Sequence, residues 1–204
     1  MTSFKIINIA TPTIVESSST DLYQYRVYVG QHQIKTNTHA SYWYLQDTLA
    51  ISCTGSGEIL NSQTMCVEIL GYTPEYRAST FSRGTDLPYV NGCSTKQLIN
   101  SARPGDPTFQ MLYIPPHTSE QVHHIHATPR IVYVADGEGT SIVGSATSSK
   151  TYKLKKGDVI ILPKMVPHHF MTKKSELTVL PVHVFSSIAS AEFDHPMFNG
   201  THKV

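Results

Sequence analysis

Surplus charge is scarce in this 204-residue chain: 16 Lys and Arg stand against 15 Asp and Glu, and no basic run exceeds two residues. The electrostatic footprint that phosphate backbones select is therefore absent, and nucleic acid is not expected as a partner. Long apolar runs are missing too, so no segment has the length to cross a bilayer. The opening Met1-Thr2-Ser3-Phe4-Lys5-Ile6-Ile7 has neither the charged nor the apolar region of a leader. The expectation is a soluble, cytoplasmic protein without a membrane partner. Cysteine is limited to Cys53, Cys66 and Cys93, an odd number with no Cys-x-x-Cys pair. That excludes a disulfide framework and a thiolate zinc site, and leaves reduced thiols. Glycine-rich phosphate loops and Gly-x-Ser-x-Gly elbows are absent, which removes two common catalytic scaffolds. Helical periodicity and an internal repeat are also lacking.

What is present is β-forming sequence. β-branched and aromatic runs bounded by Gly, Pro, Asn and Asp recur from Phe4–Ala10 to Leu177–Phe185. The length suits one large all-β domain, or one domain with a sizeable extension. Three parts are expected: a β-rich N-terminal part over 1–107, either a degenerate half-barrel or an added sheet; a barrel over 108–190; and a polar tail over 191–204. The first part ends in a breaker-rich stretch, Ser79–Pro107, expected as a long coil connection. In the second part Asp136-Gly137-Glu138-Gly139 and Lys156-Gly157-Asp158 are expected as tight turns, and eight short strands fit a closed sandwich or barrel.

Histidine is abundant at 11 copies, and its spacing carries the functional argument. In His123-His124-Ile125-His126, His124 and His126 sit two apart, so an extended strand turns both rings to one face, as a shared metal requires. A third imidazole, His168 in Pro163-Lys164-Met165-Val166-Pro167-His168, would come from another strand. Three neutral imidazoles suit Fe(II), Zn, Ni, Mn or Cu, with positions left open for water or substrate, while Mg and Ca are disfavoured.

Residues 115–172 resemble a cupin, whose first motif reads G-x5-H-x-H-x3,4-E-x6-G and whose second reads G-x5-P-x-G-x2-H-x3-N. His124, His126 and Gly137 fall in register with the first, and Gly157, Pro163 and His168 with the second. Thr118, Arg130, Met165 and Thr172 depart from it. The resemblance implies a cupin-type double-stranded β-helix, a jelly-roll barrel with an additional β-rich N-terminal half, a divalent metal with Fe(II) favoured, and a homo-oligomer such as a dimer. The replacement of the family's glutamate by Arg130 marks a three-histidine variant.

Other residues carry open alternatives. Arg130 either points inward to hold a small anion or turns to the surface, to Glu120 or to Asp136. Glu120 either joins the metal ligands, being an even number of residues from the His pair, or acts as a hydrogen-bonding carboxylate. His183 either moves protons in the cavity or is a satisfied core histidine. Tyr133 and Tyr113 either present a phenol to substrate or only pack. His123 and His169 are expected on the opposite face. Arg130, Tyr133 and His183 form the candidate catalytic set. The leading expectation is an Fe(II) dioxygenase acting on a small anionic molecule. A metal-assisted lyase or isomerase that needs no oxygen, and a binding module without turnover, are the alternatives.

Overall fold

The computed structural model describes residues 3–19, 24–81, 84–103 and 105–185, and the backbone of 201–203. The expected tail over 191–204 lies outside the described residues apart from that short backbone. The first half runs β1 (Lys5–Asn8), β2 (Thr13–Glu16), β3 (Tyr25–Val29), β4 (His32–Lys35), β5 (Ala40–Gln46), β6 (Leu49–Thr54), β7 (Ile59–Ser62), β8 (Met65–Leu70) and β9 (Arg77–Thr80). The second runs β10 (Leu87–Pro88), β11 (Ser94–Ile99), β12 (Thr108–Ile114), β13 (His124–His126), β14 (Arg130–Ser145), β15 (Ser148–Lys155), β16 (Asp158–Leu162), β17 (His168–Met171), β18 (Leu177–His183) and β19 (Thr201–Lys203). The described residues contain no α-helix, and none that is long and apolar enough to cross a membrane.

The first half forms a six-stranded sheet, β2-β3-β8-β5-β6-β9, with β4 and β7 as a separate ribbon. The second half is built on the path β10-β11-β12-β18-β14-β17-β13-β19, with β15 and β16 joined to β14. The first strand leaves its own half: β1 pairs antiparallel with β16, and Asn8 Nδ2 donates to Asp158 Oδ1 at 2.8 Å.

Two expectations from sequence need correction. The stretch Ser79–Pro107 is not all coil, because it contains β11, which pairs with β12 and buries Thr95, Leu98 and Ile99. Its Gly and Pro residues flank Ser94–Ile99 and do not interrupt it, so the segment keeps its ladder hydrogen bonds. Nor is Asp136-Gly137-Glu138-Gly139 a tight turn. It lies inside the 16-residue strand β14, at a register shift between Val134 and Asp136. Gly137 has φ +78°, and a Cβ there would stand 2.0 Å from the Glu176 carbonyl oxygen. Glycine at this point bends the strand around a corner. Before the corner β14 pairs with β16 and β18; after it, with β15 and β17. One strand thus serves both walls of the jelly roll.

Side-chain alternation divides the core. Ile131 and Tyr133 of β14, with Val159 and Ile161 of β16, pack against Val27, Trp43 and Val67 of the N-terminal sheet. Val132, Val134, Ile160 and Leu162 face the other way, into the barrel with Leu112 and Phe170. A sheet buried on both faces reads as continuous apolar sequence, and all five residues of β16 are buried.

Candidate metal centre

The inward face of the barrel carries the histidines. His124 and His126 alternate onto one side of β13, and His168 of β17 stands directly opposite His124 in the antiparallel register. All three rings are buried, with centroids 4.7 to 5.1 Å apart, and their ligand atoms lie within 4.8 Å of one another. The Nδ1–H of His124 donates to the Val122 carbonyl at 2.9 Å, and that of His168 to the Val166 carbonyl at 2.7 Å. A carbonyl only accepts, so each bond fixes the tautomer and leaves the Nε2 lone pair for a metal. Both anchors come from the residue two before the histidine. Burial holds these rings neutral, pulling His124 down to about 4 and His168 to about 3.

His126 differs. Its Nδ1 lies 3.2 Å from Arg130 Nη2, and its Nε2 lies 3.3 Å from Nε2 of His124. Guanidinium only donates, so Nδ1 of His126 accepts, and the proton of the neutral ring sits on Nε2. Two imidazoles therefore turn a lone pair to the centre and the third turns a proton. The donor set fits a borderline divalent ion of the Zn or Fe(II) kind, with His126 ligating once that proton moves.

Arg130 lines the barrel cavity and is buried, so it does not turn to the surface; Glu120 shares that cavity, whereas Asp136 lies 3.6 Å from Lys156 Nζ. Burial lowers the guanidinium to about 9, still charged at neutral pH. Glu120 precedes β13 and is not on it: its backbone N–H donates to the Phe170 carbonyl, which sets its side chain in the cavity wall. Its Oε1 accepts from Gln121 Nε2 at 3.3 Å, whereas Oε2 is buried without a hydrogen-bond partner. Desolvation raises this carboxyl to about 7 against the opposing pull of Arg130. Glu120 stands outside the trio of converging ligand atoms. His183 faces Arg130 across β14 and β18 and lines the same cavity, and burial together with the nearby guanidinium keeps it neutral.

Tyr133 is not in this cavity. It is an odd number of residues from Arg130, so strand alternation turns it into the core between the two halves. Tyr113 also lies elsewhere, its hydroxyl donating to Glu176 Oε2 at 2.9 Å. His123 and His169 bond each other through Nδ1 at 2.9 Å, away from the trio. The space left among the site residues is about 20 Å³, and its apolar lining is Leu112, Val132, Leu162, Phe170 and Val179. That holds one water.

Three departures from the cupin pattern have local explanations. Met165, at a glycine position, takes φ +61° itself. Thr118 and Thr172 bond each other: Thr118 N–H donates to Thr172 Oγ1 at 3.0 Å, and Thr172 N–H to the Thr118 carbonyl at 2.9 Å. Sequence reasoning missed this tie, which joins the start of the ligand loop to the end of β17.

Residues 110–185 match the family described as Cupin domain. This segment is a cupin domain. Its jelly roll holds the three histidines on facing strands, and the N-terminal sheet packs on its outer face. Among solved structures, the chain is similar to a Cupin 2 conserved barrel domain protein from Leptotrichia buccalis, at 15% identity and TM-score 0.52 over 88% of this chain and 95% of that one. Salicylate 1,2-dioxygenase from Pseudoaminobacter salicylatoxidans aligns at 9% identity and TM-score 0.55, over 98% and 84%. A 7S globulin from Momordica charantia aligns at 10% identity and TM-score 0.56, over 98% and 86%. These likenesses show the fold. A comparison with curated protein sequences gave no match.

Proposed function

We propose that this protein is a metal-dependent enzyme, an Fe(II) dioxygenase acting on a small anionic substrate. The observation that carries the reading is one cavity lined by three convergent neutral imidazoles and an inward, charged Arg130. A bound Fe(II) would supply a Lewis-acidic, redox-active centre with open positions for oxygen and substrate. The chain's own residues do the rest. His124 and His168 enter pre-oriented by their Nδ1–H bonds, so little reorganisation is needed on binding. Arg130 offers two parallel N–H donors to a carboxylate, fixing its direction. Leu112, Val132, Leu162, Phe170 and Val179 give the cavity an apolar lining, which lowers the local dielectric and strengthens that charge pair. The narrow cavity favours a substrate that enters by its anionic end. The fold similarity to a salicylate 1,2-dioxygenase gives precedent for oxygen chemistry on this scaffold, and the similarity to a 7S globulin shows why fold alone does not decide.

A second reading follows from His183. Neutral and in the cavity wall, it is placed to accept a proton in a metal-assisted lyase or isomerase reaction. Oxygen consumption separates the two. Metal-free protein is loaded with Fe(II) or Zn(II) and tested against small thiols, diketones and phenolic acids. Uptake with Fe(II) and none with Zn(II) or with His124→Ala supports the dioxygenase. Turnover under argon supports the lyase, and no uptake across the panel sinks the first reading.

A further inference from the structure

The contact between Arg130 and His126 links two events at this site. A metal at the centre needs the Nε2 lone pair of His126, which requires the ring proton on Nδ1. Nδ1 then faces Arg130 Nη2, at 3.2 Å, as a donor facing a donor. The present contact and metal ligation by Nε2 therefore exclude each other. The proton moves from Nε2 to Nδ1 through solvent with no change in net charge, and Arg130 draws back.

An anion relieves the clash. A carboxylate oxygen placed between the two nitrogens accepts from His126 Nδ1–H on one side and from Arg130 on the other. With charge-assisted N···O distances of about 2.8 Å, the nitrogens need to part by only about 1–2 Å. We propose that a divalent metal and a small carboxylate bind here cooperatively, because each requires the Arg130–His126 hydrogen bond to open and the second to arrive finds it already open. The inference rests on Arg130 as the anion anchor of the proposed function and adds the order-independent coupling. By thermodynamic reciprocity, acetate tightens metal binding by the same factor that metal tightens acetate binding.

Glu120 is the built-in competitor. Its Oε2 is buried in the same cavity without a partner, so the chain's own carboxylate could take the bridging position. The test therefore includes it.

Metal-free protein is titrated with Co(II), followed by its visible absorption, in carboxylate-free buffer with and without acetate at constant chloride. Acetate binding is measured separately by ligand-observed NMR on the metal-free and Zn(II)-loaded forms. The expected result is an acetate-dependent gain in Co(II) affinity of about 5- to 150-fold, the usual span of such coupling. In Arg130→Gln, Co(II) binds more tightly than in wild type without acetate, and acetate no longer changes its affinity. Equal acetate binding to both forms overturns the coupling while leaving Arg130 as an anion anchor. Failure of acetate to bind either form overturns the anchor and the coupling together. Tight Co(II) binding in wild type that acetate does not improve, and that Glu120→Gln alone makes acetate-dependent, assigns the bridge to Glu120 and also overturns the proposal.

Discussion

Lowering the pH from 6.5 to 5.0 destabilises the metal-free protein, and the amount follows from the buried rings. His124 and His168 sit at about 4 and about 3, below the ordinary imidazole value near 6.5. In this window the unfolded chain takes up a proton at each, while the folded chain keeps both rings neutral. Stability is therefore full above about pH 6.5 and falls as the pH drops. The limit is about 1.36 kcal/mol per pH unit and per proton, and because the unfolded rings are already half-protonated at pH 6.5 the two together cost about 3 kcal/mol by pH 5.0. Glu120 acts in the opposite sense. Raised to about 7, it is protonated in the folded protein and ionised in the unfolded one across this window, so acidification returns about 2 kcal/mol. The net loss from these three groups is about 1.5 kcal/mol, and His126 and His183, both also held neutral, deepen it. Urea unfolding of chelator-treated protein at half-unit pH steps measures this directly. Glu120→Gln removes the compensating group and should steepen the slope by about one proton. A flat profile between 6.5 and 5.0 would refute the picture of buried neutral imidazoles.

Two further outcomes test the assignment of faces and of the corner. Tyr133→Phe should leave Co(II) affinity and turnover within about twofold of wild type, whereas Tyr133→Ala should lose about 3–5 kcal/mol of stability in urea, as for other large buried rings. A large loss of turnover in the phenylalanine variant at unchanged stability would return Tyr133 to the chemistry. Gly137→Ala combines a positive φ with a close backbone contact, and should cost at least about 2 kcal/mol. An unchanged thermal midpoint would mean that the corner does not need glycine.

The candidate ligands were legible because metal chemistry and strand geometry impose the same spacing. His124 and His126 are two apart, and a second motif supplied His168. Arg130 at the glutamate position was visible as a departure, but its direction was not, since nothing in the local sequence says which face β14 buries against which neighbour. The placement of Tyr133 was legible and misjudged: three residues from Arg130, it had to face the other way. Met165 hid its positive φ because a glycine would ordinarily announce one. The corner at Gly137 was unreadable for a related reason, since a glycine-rich tetrapeptide serves a reversal and a bend equally well. Strand β11 was concealed by breakers at its borders. The tie between Thr118 and Thr172 lay beyond reach, because it joins two departures that are 54 residues apart.

The pairing of β1 with β16 sets a clock on synthesis. Asn8 meets Asp158, 150 residues later in the chain, so β1 waits without its partner strand until β16 has been made. Contacts of that separation form slowly and leave an unpaired strand edge exposed while they wait. A gene fragment encoding only the matched cupin segment would make that open edge permanent, with Ile160 and Ile161 in a strand that has lost its outer neighbour.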